Sequence, residues 1–195
     1  MLTVGDRLKD FQFTGVRPGA ISPDDAFVAV NDASFSEGEF KGKWKVLVFY
    51  PKDFTFVCPT EIVAYDALNG EFDKRNAVLF IGSTDNEFCK LAWKQAHPDL
   101  AKTTSWMFAD TLRDGVTVGE YGWSQGLSTR LGVFFEPAGA ALRATFIVDP
   151  DGIIQHVTVN NLSVGRNPNE TLRVLDAIQT GELCACNREI GGAVL

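Results

Sequence analysis

The sequence predicts an α/β protein with a mixed central sheet and helices on both faces. Three observations lead there. Short apolar runs rich in aromatic and β-branched residues recur at Val46–Tyr50, Ala77–Gly82 and Thr145–Val148 and read as buried strands. Segments with helical spacing separate the first strands. The turn signal Asp149-Pro150-Asp151-Gly152 precedes alternation over Ile153–Val159, which closes a hairpin. Strand–helix–strand connections favour parallel neighbours, and the hairpin adds antiparallel ones.

Taken in order, Val46–Tyr50 (VLVFY) is the first of these strands. Glu61–Lys74 then places Ile62, Tyr65, Leu68 and Phe72 on one helical stripe. Ala77–Gly82 (AVLFIG) follows as a second strand. Thr84 with Glu87 resembles a capping box, and the helix it opens runs to about His97, before Pro98. Asp110–Ala141 is glycine-rich with scattered aromatics and reads as a long surface excursion with a short helix or two. After the hairpin, Asn167-Pro168-Asn169-Glu170 starts a helix with a cap residue and a proline in its first turn. Leu172, Leu175 and Ile178 form its apolar face, and Gly181 ends it. Glu182–Leu195 is a tail without apolar periodicity. The chain therefore divides into a domain over residues 1–181 and a tail over 182–195.

Composition narrows the function. Eighteen Lys and Arg against 25 Asp and Glu leave a net charge of −7, with no basic run. Such a chain is a poor candidate for binding nucleic acid. Met1–Asp10 lacks the basic start and apolar core of a signal peptide, and the apolar runs fall far short of a membrane span. The expected setting is the cytoplasm, where thiols stay reduced. There, Cys58, Cys89, Cys184 and Cys186 are core residues, metal ligands or redox groups rather than structural bridges. A metal reading is weak. Cys184-Ala185-Cys186 is not zinc-finger spacing, and the two histidines, His97 and His156, stand alone. A disulfide oxidoreductase would carry C-x-x-C, which is absent.

Cys58 is the residue with the strongest local signal. It follows a buried strand through Pro51-Lys52-Asp53-Phe54-Thr55-Phe56-Val57, and Pro59 confines it to a helix start. Unpaired N–H groups and the positive end of the helix dipole gather there and favour thiolate over thiol, so a depressed pKa is expected. A free cysteine is also often a small buried hydrophobe. On position alone the two readings are even. Thr55, with a hydroxyl in the same loop, Pro51, placed to shield the pocket, and Glu61, on the same helical face, tip the balance toward chemistry.

Pro51-x3-Thr55-x2-Cys58 resembles the P-x3-T-x2-C signature of peroxiredoxins. The longer string Phe54–Glu61 (FTFVCPTE) resembles the subgroup of alkyl hydroperoxide reductase C and the typical two-cysteine enzymes. Asp85–Trp93 (DNEFCKLAW), Arg143–Pro150 (RATFIVDP), Val164-Gly165-Arg166 and Gly181–Cys184 extend the likeness over roughly residues 40 to 187. The resemblance implies a thioredoxin-like fold and a thiol peroxidase that needs neither metal nor organic cofactor. It implies that Cys58 attacks peroxide and becomes a sulfenic acid. Arg143 would stabilise the thiolate and the leaving oxygen. Thr55 would orient the peroxide, Pro51 would limit solvent, and Glu61 would orient Arg143 and Arg166. A structural ion pair is the rival reading of Arg166.

The resemblance further implies that Cys184 of a partner subunit resolves the sulfenic acid. The unit would be a homodimer, assembling to a decamer or dodecamer ring. The first turn after Thr55 would have to unwind for the disulfide to form, because disulfide geometry is narrow. The reductant would be a dithiol C-x-x-C protein: alkylhydroperoxidase D-like, thioredoxin-like or a flavin disulfide reductase. A chaperone-like role for such a ring is compatible with this. The pair Cys184 and Cys186 (ELCACN) resembles an actinobacterial branch in which three cysteines share the work, so Cys186 passes the disulfide outward or is spare. Cys89 reads as a packing residue near an oligomer contact.

Three departures stand out. Arg188 replaces an aromatic residue two positions after the C-x-C, which puts the packing of the tail in question. No helical extension with Tyr-Phe follows, so resistance to over-oxidation is expected. Abundant Cys58 sulfinate after excess peroxide would count against it. About Asp114–Gly126 looks inserted, and its Tyr121 and Trp123 read as a local hydrophobic patch, with a lid or an interface as the rivals.

Overall fold

The computed structural model describes residues 2–111, 117–118, 123–124 and 126–195. In chain order, the elements are β1 Gln12–Val16, α1 Pro23–Ala26, β2 Phe27–Asn31, α2 Asp32–Ser36, β3 Trp44–Phe49, α3 Cys58–Asp66 and α4 Asn69–Lys74. β4 Ala77–Ser83, α5 Glu87–Ala96, β5 Trp106–Ala109, β6 Thr117–Val118, β7 Trp123–Ser124 and α6 Leu127–Arg130 follow. β8 Phe134–Phe135, β9 Ala140–Ala141, β10 Arg143–Val148, β11 Ile154–Asn160 and α7 Pro168–Gln179 complete them.

Seven strands form one mixed sheet in the order β11-β10-β3-β4-β5-β1-β2. β3, β4 and β5 run parallel, as buried apolar strands joined by helices should. The hairpin β10–β11 adds antiparallel strands beside β3, and the hairpin β1–β2 does so beside β5. The long helices cover one face, where Ile62, Tyr65, Leu91, Leu172 and Leu175 pack on Val46, Val48, Leu79 and Ile81. The opposite face is an aromatic core of Phe11, Phe13, Phe49, Phe80, Trp106 and Phe108, closed by Phe35 of α2 and Leu127 of α6. The expected mixed sheet with helices on both faces is therefore present.

Several details differ from the sequence expectation. The helix starts at Cys58, as Pro59 requires, but the stripe read over Glu61–Lys74 breaks between Asp66 and Asn69, where the Ala67 amide already turns back to Val63 and Tyr65. Asn86, not Thr84, caps α5, its side chain accepting from the Cys89 amide. Strands β1, β2 and β5 had no sequence expectation. α7 begins and ends as read, with Asn167 as cap and Gly181 at φ +69°. Most of the expected insertion at 114–126, Tyr121 included, lies outside the described residues. No helix among those described is long and apolar enough to cross a membrane.

Candidate active site

Topology brings the site together before any side chain is considered. β3 ends at Phe49 and feeds the loop that opens α3 at Cys58. β10 lies antiparallel to β3 with Ala144 opposite Phe49, so its first residue, Arg143, stands at the same sheet end. Pro59 occupies the first turn of α3, as its fixed φ and missing N–H require. Cys58 is thereby held at the helix mouth, 1% exposed, among Tyr50, Ile62 and Tyr65.

Arg143 reaches this sulfur. Its Nη1 lies 3.6 Å from Cys58 Sγ and donates to Glu61 Oε2 at 2.6 Å, while Nε donates to the Leu162 carbonyl at 2.7 Å. The guanidinium is thus fixed at two of its corners. Glu61, three residues after Cys58, takes a second guanidinium. Arg166 donates to it from Nε at 2.9 Å, from Nη2 at 3.1 Å and from its own amide at 2.9 Å. Burial opposes ionisation of Glu61, but Arg166, and then Arg143, outweigh it and hold the carboxyl below its ordinary value. Two guanidiniums on one buried carboxylate leave a net positive charge beside the sulfur. Such a centre suits an anionic nucleophile and an oxygen leaving group.

The residues expected from the sequence are arranged unequally. The structure unites Cys58, Glu61, Arg143 and Arg166. Thr55 stands in the loop before α3, its hydroxyl donating to the Lys52 carbonyl at 3.0 Å, and Pro51 is half-buried directly after the strand. Cys184 and Cys186 lie on the tail, and all four cysteines are free. Cys184 is half-buried, with Thr180 Oγ1 at 3.6 Å and the Ala177 and Glu182 carbonyls each at 3.7 Å from Sγ. Cys186 is exposed. Burial, with Asp53 and Asp85 adding, pushes the Cys89 thiol up to about 11, which makes it a poor nucleophile near neutrality. Among the described residues no three His, Cys, Asp or Glu side chains cluster as metal ligands would.

Two supporting clusters escaped sequence reasoning. Tyr65 Oη lies 3.1 Å from Thr145 Oγ1 and 3.0 Å from Thr171 Oγ1, and the Arg166 guanidinium covers its ring at 5.5 Å. A tyrosine where a leucine would satisfy the stripe was the available signal. The second cluster anchors the active-site loop. Lys90 Nζ, fully buried, donates to Ser83 Oγ at 2.7 Å and Asp53 Oδ1 at 3.2 Å, while Tyr50 donates to Asp53 at 2.7 Å. Beyond Asp53 the loop turns outward, and Phe56 is 95% exposed. Beside it an open apolar groove of about 750 Å³ follows α3 past Phe56, Pro59 and Val63 to His97.

Known proteins resemble the chain in sequence and in fold. Residues 4–157 match the AhpC/TSA family. The chain is 42% identical to alkyl hydroperoxide reductase C of Mycolicibacterium smegmatis, across 98% of this chain and 92% of that protein. It is 39% identical to peroxiredoxin tpx1 of Schizosaccharomyces pombe, across 87% of each. Among solved structures, Mycobacterium tuberculosis AhpC superposes with a TM-score of 0.77 at 42% identity, covering 95% of this chain and 97% of that one. The reduced 2-Cys peroxiredoxin of Plasmodium vivax gives 0.81 at 33% identity, covering 100% and 93%.

Proposed function

Because the chain belongs to the AhpC/TSA family, we infer that the Cys58 centre is that of a thiol-dependent hydroperoxide reductase with an antioxidant role. The Cys58 thiolate attacks one peroxide oxygen. The O–O bond breaks, the sulfur keeps one oxygen as a sulfenic acid, and the other leaves as hydroxide or alkoxide, which a proton converts to water or alcohol. Arg143 faces both the sulfur and the charge that develops on the leaving oxygen. Thr55 orients the peroxide, Pro51 keeps bulk water out, and Glu61 with Arg166 keeps Arg143 aimed.

In the second half, the Cys184 thiol of the other subunit of a homodimer condenses with the sulfenic acid, forming a disulfide and releasing water. Domain 1–181 thus performs the oxidation and tail 182–195 the resolution. Cys186, exposed and beside Cys184, receives the disulfide by exchange and hands it to a C-x-x-C dithiol reductant. The dimers assemble into a ring. A reducing cytoplasm is the setting that returns the cysteines to the free state between turnovers.

The observation that carries this reading is the Arg143 guanidinium held 3.6 Å from a buried helix-start cysteine. Peroxide consumption with a dithiol reductant, followed by peptide mapping of the oxidised, non-reduced protein, tests it. Turnover that depends on Cys58 and a Cys58–Cys184 bridge between chains are expected. Turnover that survives Cys58→Ser would refute the reading.

A further inference from the structure

The tail is not loose. Arg188, which left the packing of the tail in question at the level of sequence, is its anchor, with a side chain only 5% exposed. Arg188 Nη1 donates to Asp176 Oδ2 on α7 at 2.8 Å, and the Gly191 amide donates to the same oxygen at 2.9 Å. The other oxygen, Asp176 Oδ1, takes Arg75 Nε and Nη2, both at 3.2 Å. Arg173, one turn earlier on α7, donates to the Arg188 carbonyl at 3.1 Å. On the far side of the C-x-C, the Leu195 amide bonds back to the Leu183 carbonyl at 2.8 Å. The two cysteines therefore sit in a short segment tied down at both ends.

Within that segment Cys184 is parked. Its sulfur faces the Ala177 and Glu182 carbonyls and the Thr180 hydroxyl. Half-buried and held by these contacts, the sulfur is shielded from an incoming sulfenic acid. Cys184 must leave this place to react.

We propose that the Arg188–Asp176 ion pair is a latch that keeps Cys184 parked against α7, and that its opening gates the attack on oxidised Cys58. This rests on the reading of Cys184 as the resolving thiol. The gated step is Cys58–SOH plus Cys184–SH giving the disulfide and one water, so no further reactant enters. Arg188 is here a positioning residue. The latch is built to open, because Arg188 Nε is buried without a partner among the described residues, so the desolvation of the guanidinium is only partly repaid.

Quench-flow of the full-length protein with hydrogen peroxide, thiol alkylation and mass spectrometry separates the two phases. In Arg188→Met, formation of the Cys58 sulfenic acid should keep its wild-type rate. Its conversion to disulfide should speed up roughly tenfold, the scale of one charge-assisted hydrogen bond. The peroxide concentration that produces half-maximal sulfinate should rise in proportion. Arg188→Lys, which keeps the charge, should fall between the two. A disulfide step that is unchanged or slower in Arg188→Met, while Cys184→Ser blocks that step, overturns the latch alone. If Cys184→Ser clears the sulfenic acid at the wild-type rate, the reading of Cys184 falls, and the latch falls with it.

Discussion

In the proposed mechanism Glu61 aims Arg143 without itself meeting the peroxide. It is a buried carboxylate shared by two guanidiniums, and removing one partner from such a group is far costlier than the net worth of the pair. Glu61→Gln should destabilise the fold by about 3–5 kcal/mol in urea unfolding. It should also slow sulfenic acid formation at least about tenfold, because Arg143 loses its aim. The pH dependence has a definite sign. The folded-state value of Glu61 is depressed, so its contribution is complete above the ordinary value of 4.5 and is lost as pH falls below that through the folded-state value. The stability gap between wild type and Glu61→Gln should therefore shrink only below pH 4.5, and a gap that closed above it would contradict the assignment. Lys45 runs the opposite way. Burial lowers its pKa to about 8, so its charge costs stability at neutral pH, and that cost disappears as pH rises from 8 toward 10.5. Lys45→Met should be more stable than wild type at pH 7, with the advantage vanishing in that window. An advantage that persists above it would refute burial as the cause.

At the scale of elements, the first turn of α3 is the part that the proposed disulfide requires to unwind. Its cap position, Val57, offers no side-chain hydrogen bond. Phe54 sits at φ +54°, a left-handed conformation unfavourable for a bulky residue, with its ring 5.6 Å from Trp93. Phe56 and Val57 are exposed, while Asp53 is pinned by Lys90. Hydrogen exchange should find the amides of Cys58, Thr60 and Glu61 opening well before those of β3 and β4, and Trp93→Leu, which removes the Phe54 platform, should quicken them further. Equal protection in α3 and β4 would rule out the expected unwinding. The start of α3 was legible because Pro59 permits only one register. The break after Asp66 was not, because Leu68 and Phe72 keep the apolar spacing across it. Strands β1 and β5 were missed for a related reason. β1 holds a glycine and a threonine among its five residues and β5 is four residues long, so neither makes a run that stands out. Their burial is decided by partners distant in the chain: Phe13 of β1 packs on Phe80 and Phe108, and Trp106 of β5 on Phe80.

For the molecule as a whole, the aromatic face of the sheet supplies the rigidity that lets one loop and one tail move. Phe80 touches Phe13, Phe35, Phe40 and Trp106. Phe80→Ala should cost about 3–5 kcal/mol in urea unfolding, through the cavity it leaves. A loss below about 1 kcal/mol would mean that this face repacks freely. Cys58 and Glu61 stand out in the sequence through the helix-start string around Pro59, whereas Arg143 and Arg166 are singled out only through the family resemblance; the structure brings all four together. Sequence reading did not recover the Lys90–Asp53 and Arg188–Asp176 pairs, because a charged residue in isolation reads as solvated until the fold supplies the partner. The central claim is that a guanidinium beside Cys58 drives peroxide cleavage, and stopped-flow measurement of the second-order oxidation of Arg143→Gln by hydrogen peroxide tests it most directly. A loss of about a hundredfold or more, with the fold intact, is the predicted result. A rate within a few-fold of wild type would contradict it.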